Sequence, residues 1–486
     1  MSLFRLIVPF CLVGLLVGCG AASPVAEVTS TQPATVPTSS ATALPAPSDT
    51  LPPTAASPEG TATVSPERIA DAQALADQWL AGDDEAIFAR FDDTMKTAFP
   101  LDQVKQAREG LLAQAGSLER QIGARAVKSE QYDIVYVTYE LEKGDVDVKM
   151  VFNQAGQIAG LFFQNAGSEN ASAYEAPAYV DTTRFAEQEV TVGTGEWALP
   201  GTLSLPVGDG PFPALVLVHG SGPNDRDETI GPNKPFRDLA WGLATRGIAV
   251  LRYEKRTREH ASKFTPELVG ALTVQEETVD DALAAVALLR ETHEIDPARV
   301  YVLGHSLGGY VLPRIGAADP LIAGLVFLAG FTRPLEDLVL EQVTYIAGVD
   351  GTISPDEQTT IDQLKAQVAR AKDPALSPST PASELPLNTP AGYLLDLRDY
   401  DPTATAKGLM QRMLIMQGAR DYQVTTVDFE GWKAALGSRP DVEFELYPDL
   451  NHLFMTGEGK STPEEYMAAG HVAEPVIARI VAWVLE

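Results

Sequence analysis

Five continuous apolar runs set the strongest limit on the fold of this chain. They lie at residues 214–218, 248–251, 300–303, 325–328 and 413–416. Such runs are typical of strands that are buried on both faces of a parallel sheet. Helical patterns separate them, at residues 235–246, at 274–294 and after Ser306. This alternation predicts an α/β fold, with a mostly parallel sheet flanked by helices and a ligand site at the carboxyl ends of the strands.

A hairpin and an insertion complete this predicted domain, which we place at residues 182–486. Residues 182–206 alternate apolar and polar positions around Gly193 and Gly195, a pattern that predicts two antiparallel strands. Residues 331–406 interrupt the series of strands with two helical patterns and a passage rich in Pro, Ser and Thr. We expect this insertion to lie outside the sheet.

A smaller α+β domain is predicted at residues 67–170. Helical spacing at residues 69–80 and 104–112 is followed by alternating strand patterns at 132–139, 146–152 and near 161–163. The pattern resembles the nuclear-transport-factor-2-like domains of unknown function. The segment shows no constellation of His, Cys or paired carboxylates typical of a catalytic site, so we expect a binding or spacer role there rather than catalysis.

The first 18 residues have the pattern of a signal peptide. Arg5 supplies the positive charge, and residues 6–17 supply an apolar stretch that is shorter than the ~20 residues of a spanning helix. The stretch ends in Leu16-Val17-Gly18-Cys19, which resembles a bacterial lipobox. That resemblance implies cleavage before Cys19 and attachment of a lipid to its sulfur. An ordinary secretory signal or a short membrane anchor is the alternative.

Residues 19–66 predict a disordered tether between this leader and the folded domains. They consist mostly of Ala, Thr, Ser and Pro, and they contain neither Lys nor Arg. Such a composition cannot bury enough apolar surface to fold. We therefore expect an exported protein, anchored by lipid at the outer face of a bacterial cell membrane or in the periplasm.

Charge and cysteine content exclude several classes of function. The chain has 66 acidic and 36 basic residues, for a net charge of −30. This balance argues against a nucleic-acid partner and against electrostatic docking on anionic lipid. The two cysteines are Cys11 and Cys19, so the folded domains have no thiol nucleophile, disulfide or Cys-based metal site.

The segment Gly304-His305-Ser306-Leu307-Gly308-Gly309 carries the strongest chemical signal. It directly follows the apolar run 300–303 and precedes a helical pattern. A nucleophile elbow requires this arrangement, because the serine adopts a strained turn and small residues on both sides prevent clashes between strand and helix. A glycine-rich nucleotide-binding turn is the alternative, but the glycine spacing of that motif and a Gly-Lys-Ser/Thr element are both missing.

Together with two further motifs, the elbow resembles the α/β-hydrolase superfamily. His219-Gly220-Ser221-Gly222-Pro223 and Leu251-Arg252-Tyr253-Glu254-Lys255-Arg256 follow successive apolar runs. They are similar to the esterase and dienelactone-hydrolase-like branch of that superfamily. The resemblance implies a Ser nucleophile, then an acid, then a His along the chain. It also implies that residues 331–406 form a cap that shapes the pockets for the acyl and alcohol groups.

Ser306 needs an imidazole base, because a serine hydroxyl is a weak nucleophile at neutral pH. His452 is the candidate among six histidines, since it lies in the loop after the strand-like segment 442–447, where the family places its base. Asp421 matches the family's acid position in a Gly-x-x-Asp pattern after run 413–416, and Asp449 is its rival. Two other histidines are expected elsewhere: His305 with its ring turned away, and His471 in a C-terminal helix.

An oxyanion intermediate needs two backbone N–H donors. We expect one from Leu307, the residue after the nucleophile, and the other from Ser221, with Gly222 as second choice. Glycines in this loop let the backbone approach a substrate closely. The adjoining charged turn 224–227 is interpreted as bracing the loop.

The sequence therefore predicts a serine hydrolase that cleaves small-molecule carboxylic esters through Ser306, His452 and Asp421, with an acyl-enzyme intermediate. We expect neither a metal nor an organic cofactor. A peptidase or amidase, a thioesterase and an acyltransferase remain alternatives with the same residues. A non-catalytic surface binding protein is an alternative of a different class. No pattern in the sequence predicts an oligomeric state.

Overall fold

The computed structural model describes residues 64–128, 132–142, 144–165 and 174–486. The predicted leader, the lipidation candidate Cys19 and nearly all of the predicted tether lie outside these residues. The chain divides into a smaller unit that ends at Asn165 and a larger unit that extends to Glu486. Among the helices that the structure describes, none is both long and apolar enough to cross a bilayer.

The smaller unit consists of four helices followed by a four-stranded antiparallel sheet in the order β1-β2-β3-β4. The helices are α1 (Pro66–Leu80), α2 (Asp84–Ala89), α3 (Asp93–Ala98) and α4 (Leu101–Ala115). The strands are β1 (Leu118–Lys128), β2 (Asp133–Leu141), β3 (Gly144–Phe152) and β4 (Ile158–Asn165). In the core, Trp79 of α1 stacks on Phe163 of β4 with ring centroids 4.8 Å apart. The sequence patterns predicted three of the four strands and did not indicate β1.

The larger unit contains an eight-stranded sheet in the order β12-β11-β10-β9-β7-β8-β6-β5. Its strands are β5 (Phe185–Val192), β6 (Leu199–Pro206), β7 (Phe212–Val218), β8 (Ala249–Tyr253), β9 (Ile295–His305), β10 (Gly324–Leu328), β11 (Arg412–Gly418) and β12 (Val442–Tyr447). Strands β5 and β6 form the predicted antiparallel hairpin, and β6 also pairs antiparallel with β8. The strands β8, β7, β9, β10, β11 and β12 are neighbours in that order and run parallel.

Helices connect and flank the strands of this sheet. They are α5 (Pro235–Ala244), α6 (Arg256–Glu259), α7 (Pro266–Ala271), α8 (Asp280–Glu291), α9 (Leu307–Ala318), α14 (Thr426–Leu436) and α15 (Glu474–Leu485). A π-helical turn, Gln275–Val279, directly precedes α8. The predicted α/β fold with a mostly parallel sheet is thereby confirmed, because each predicted apolar run overlaps one parallel strand.

The segment between β10 and β11 carries four further helices. They are α10 (Leu335–Ala347), α11 (Pro355–Lys372), α12 (Ala391–Arg398) and α13 (Pro402–Lys407). α10 and α11 pack against each other, whereas α13 packs against α9 and α14. The Pro/Ser/Thr-rich passage between α11 and α12 contains two short 3₁₀ turns and buries Leu385 completely.

Candidate active site

Ser306 lies at the sharp turn between β9 and α9. Its φ of 53° is in the left-handed region, which is strained for a residue with a side chain. Its own N–H donates to the carbonyl of Leu328 on the neighbouring strand, at 2.9 Å. The turn needs glycines, because a Cβ on Gly304 would lie 2.4 Å from the carbonyl carbon of Gly308. A Cβ on Gly308 would lie 2.2 Å from the carbonyl oxygen of Val218 at the end of β7.

His452 and Asp421 meet in the loops after β12 and β11. Nδ1 of His452 lies 2.7 Å from Oδ2 of Asp421, and both side chains are buried. The other carboxylate oxygen, Oδ1, accepts the N–H groups of Gln423 and Val424 at 2.7 and 3.0 Å. Oδ2 also accepts from Nε2 of Gln417 at 3.1 Å. These bonds fix the carboxylate, and the carboxylate fixes the imidazole ring. The rival acid, Asp449, is exposed.

Ser306 and His452 line one cavity of about 230 Å³. The other lining residues come chiefly from the loop after β7: Gly220, Ser221, Gly222, Pro223, Asn224, Glu228, Thr229, Ile230, Gly231, His305 and Gln423. The strand ends of β7, β9, β11 and β12 thus supply one site at the carboxyl edge of the sheet, as expected for an open α/β sheet.

The loop after β7 places its backbone against the nucleophile. A Cβ on Gly220 would lie 3.3 Å from Cβ of Ser306. The N–H of Gly220 donates to Oε1 of Glu228 at 2.6 Å and is therefore unavailable to a substrate. The next two residues, Ser221 and Gly222, both line the cavity. Leu307 is the first residue of α9, where a backbone N–H has no acceptor within the helix.

The charged turn 224–227 braces this loop, as the sequence analysis predicted. Nδ2 of Asn224 donates to the carbonyls of Gly220 and Ser221 at 3.2 and 3.0 Å. Asp227 pairs with the buried guanidinium of Arg252. The turn is therefore tied to β8 as well as to the cavity wall.

The position of His305 corrects one expectation. Its ring is not turned away from the site, because it lies beside the ring of His452 with centroids 4.6 Å apart. Nε2 of His305 lies 3.0 Å from the backbone carbonyl of His452, and Nδ1 lies 2.9 Å from Oε2 of Glu228. The pair of Glu228 and His305 therefore links the loop after β7 to the loop that carries His452. No short-range pattern signals this pair.

Burial and ion pairing oppose each other at this pair. Burial disfavours the charged form of His305, but the adjacent Glu228 carboxylate outweighs it, and the pKa of His305 is raised. Burial likewise disfavours the Glu228 carboxylate, yet the imidazolium and the Gly220 N–H lower the pKa of Glu228. Both shifts favour the charged form of the pair, a protonated His305 beside an ionised Glu228.

The other histidines lie outside this arrangement. Burial lowers the pKa of His219 to about 4, and its Nε2 lies 3.1 Å from the carbonyl of Asp225. His471 precedes α15 rather than lying within it, which corrects the expectation for that residue, and its Nδ1 lies 3.1 Å from Asp238. Within the described ranges, no group of three or more His, Cys, Asp or Glu side chains is arranged to hold a metal ion.

The raised pKa of His305 predicts a pH-dependent contribution to stability. The raised pKa of His305 in the folded protein stabilises the fold. This stabilisation is fully present below the imidazole pKa of the unfolded chain, about 6.5, and is lost as the pH rises through the pKa of the folded protein. The lowered pKa of Glu228 also stabilises the fold. This stabilisation is present above the carboxyl pKa of the unfolded chain, about 4.3, and is lost as the pH falls through the pKa of the folded protein. We therefore expect His305→Gln to reduce the free energy of unfolding more at about pH 6 than at about pH 9, as measured by urea denaturation.

The exposed His293 provides the matched control, since His293→Gln makes the same substitution at an exposed position. A destabilisation by His305→Gln that is the same at both pH values, or larger at the alkaline one, would contradict the assignment of a charged pair.

Two families match separate parts of the chain. Residues 72–161 match a family described as protein of unknown function (DUF3887), which confirms the resemblance noted for the smaller domain. Residues 215–469 match the alpha/beta hydrolase family. The esterase EstD of Thermotoga maritima is 41% identical over 394 residues, which are 81% of this chain and 89% of that protein.

Two solved structures are less similar to this chain in sequence than the Thermotoga maritima esterase is. An esterase of Pyrococcus furiosus is 15% identical with a TM-score of 0.40, over 64% of this chain and 96% of its own. Est1E of Butyrivibrio proteoclasticus is 14% identical with a TM-score of 0.39, over 61% of this chain and 99% of its own. By its family match and by the extent of its identity to a named relative, the chain belongs to the α/β-hydrolase family.

Proposed function

We propose that this α/β-hydrolase cleaves carboxylic esters of small molecules, with Ser306 as nucleophile, His452 as base and Asp421 as the acid that orients it. One observation carries the proposal: a serine on a strained turn shares its cavity with an imidazole that a buried carboxylate holds at 2.7 Å. The identity to a protein named as an esterase supports an ester substrate in preference to an amide or a thioester.

The geometry supports a two-step reaction. His452 takes the proton of the Ser306 hydroxyl through Nε2 while Oγ bonds to the ester carbonyl carbon. The negative charge that develops on the carbonyl oxygen is stabilised by the N–H groups of Leu307 and of Ser221, or Gly222 in its place. Collapse of this intermediate expels the alcohol, which receives the proton from His452. An acyl-enzyme on Ser306 remains.

Water then repeats the sequence on the acyl-enzyme. His452 accepts a proton from the water as its oxygen bonds to the acyl carbon, and it returns that proton to Oγ of Ser306 as the acid departs. Throughout, the Asp421 carboxylate keeps the proton of Nδ1 in place and stabilises the imidazolium.

A second, narrow cavity adjoins the proposed oxyanion donors. It is lined by Ser221, Gly222, Glu277, Leu307, Leu335, Glu336, Val339, Pro386, Thr389, Tyr393 and Leu394. Its volume is about 20 Å³, which is little more than the roughly 10–15 Å³ that one water requires. We propose that this cavity accepts the acyl group and admits only a short one. The helices α10 and α12 of the proposed cap would then set the chain-length preference.

We also propose that the protein is exported and anchored by a lipid on Cys19. The support is the leader pattern of residues 1–18, which ends at this cysteine, and the Ala/Thr/Ser/Pro composition of the segment that follows.

Replacement of the nucleophile is the direct test of the proposed reaction. Ser306→Ala is expected to reduce the turnover of p-nitrophenyl acetate by at least about 10³-fold, because no hydroxyl remains to attack the carbonyl. Ser438→Ala, at an exposed serine, is the control. Matched amide and thioester substrates belong in the same assay. A wild-type enzyme that prefers either of them, or Ser306-independent ester turnover, would reject the proposal.

Widening the narrow cavity is expected to change the acyl preference. Val339→Ala removes two methyl groups from its wall and should raise kcat/KM for the butyrate ester relative to the acetate by about tenfold. Val343→Ala, one turn further along α10, makes the same change at a buried position that does not line the cavity. An unchanged ratio in Val339→Ala, or an equal shift in Val343→Ala, would show that this cavity does not hold the acyl group.

Lipid attachment is testable in a bacterial host grown with labelled palmitate. The wild-type chain should incorporate label and sediment with membranes, and Cys19→Ser should do neither. Cys11→Ser removes the other cysteine and should leave both properties intact. Labelling that survives Cys19→Ser would rule out this site.

A further inference from the structure

A buried lysine lies behind the proposed oxyanion loop and has no role in the reaction described above. Lys255 follows β8 and is only 2% exposed. Its Nζ donates to the carbonyl oxygen of Gly220 at 2.8 Å and lies 3.1 Å from Oε1 of Glu277. A buried ammonium is costly unless it is paired and hydrogen-bonded, so a specific contact of this kind calls for a reason.

The carbonyl of Gly220 belongs to the same peptide unit as the N–H of Ser221. In a trans peptide these two groups point in opposite directions, so a donor that fixes the oxygen also fixes the direction of the N–H. Nδ2 of Asn224 is a second donor to this oxygen, at 3.2 Å. On the preceding side, Glu228 holds the N–H of Gly220. Two side chains therefore hold the carbonyl of the peptide that carries the proposed oxyanion donor, and a third holds the peptide before it.

The ammonium also acts on the strength of the donor. A hydrogen bond from a charged group is stronger than a neutral one, and in a water-poor interior it polarises the group that accepts it. Polarisation of the Gly220 carbonyl by Lys255 places more positive charge on the Ser221 N–H of the same unit. A preorganised donor of this kind stabilises an oxyanion without rearrangement during the reaction.

Glu277 keeps Lys255 in place and connects it to α12. Glu277 lies in the π-helical turn Gln275–Val279, and turns of this type are rare and occur frequently at functional sites. Its Oε2 accepts the hydroxyl of Tyr393 at 2.7 Å, so both carboxylate oxygens are occupied. Burial, together with the nearby Glu277 charge, raises the pKa of Tyr393 well above its usual value, which keeps the hydroxyl a donor.

We propose that Lys255 is a positioning residue that orients and polarises the Gly220–Ser221 peptide as an oxyanion donor. Glu277 holds Lys255, and Tyr393 ties this arrangement to α12. The inference rests on the proposed function, because it assigns a role in the same reaction. Tyr393 and Glu277 also line the narrow cavity, so the segment that limits the acyl group is joined to the residue that aligns the donor.

The test removes the charge pair without leaving an unpaired charge behind. The double variant Lys255→Met/Glu277→Gln keeps side chains of similar length and retains an amide to accept from Tyr393. We expect kcat for p-nitrophenyl acetate to fall about 10- to 100-fold with KM within about threefold of wild type, since the lost interaction acts in the transition state. Affinity for a trifluoromethyl ketone, which forms a tetrahedral adduct with serine, should fall by the same factor.

Lys234→Met is the matched control. It removes a lysine near the same loop, but one that contacts Asp227 and Thr229 rather than Gly220. Wild-type kcat and inhibitor affinity are expected. If the double variant, folded by circular dichroism, also has wild-type kcat and inhibitor affinity, or if only its KM changes, the proposal is overturned.

Tyr393→Phe provides a second variant in case the double variant does not fold. It removes one hydroxyl, and we expect a fall of about threefold in kcat, matched by the inhibitor affinity, because Glu277 is held less firmly. An unchanged kcat in this variant also overturns the proposal. Ester turnover by the wild-type protein distinguishes the two proposals. If the wild-type protein has no turnover, both the proposed function and the role of Lys255 are overturned. If the wild-type protein has turnover and the variants are unaffected, only the role of Lys255 is overturned.

Discussion

The candidate site depends on the close approach of the turn after β9 to the end of β7. Gly308 lies so near the carbonyl of Val218 that a methyl group does not fit between them. This approach holds Ser306 at a positive φ, a strain of about 1–3 kcal/mol that the buried core of β9 and α9 offsets. As a result, the hydroxyl of Ser306 and the N–H of Leu307 come together at one edge of the sheet, beside the loop after β7.

That loop is held by buried charges rather than by regular hydrogen bonding. Glu228 binds the N–H of Gly220 and the ring of His305, while Lys255 binds the carbonyl of the same glycine. Each of these charged groups has a partner of opposite sign, which reduces the cost of burying it. Such an arrangement favours one backbone geometry over its alternatives, and a catalyst that stabilises an oxyanion needs a single, preorganised geometry.

The sequence predicted those features that depend on local pattern. Strands buried on both faces are continuous apolar runs. The parallel strands, and the order of the loops that carry Ser306, Asp421 and His452, could therefore be predicted from the sequence. Strand β1 was missed because Leu118–Lys128 is largely exposed and mixes charged with small residues, without clear alternation. The pairings of Glu228 with His305 and of Lys255 with Glu277 could not be predicted from the sequence. The two residues of each pair are far apart along the chain, and only the packed fold brings them together.

We infer that one serine, Ser306, placed by the strained turn, forms a covalent intermediate. The most direct measurement is peptide mapping by mass spectrometry after reaction of the wild-type protein with a fluorophosphonate, which traps an activated serine. We expect a single adduct, on the peptide that contains Ser306, which forms more slowly when a short-chain ester competes. An adduct on another serine, or no adduct under conditions in which the protein hydrolyses the ester, would contradict the account.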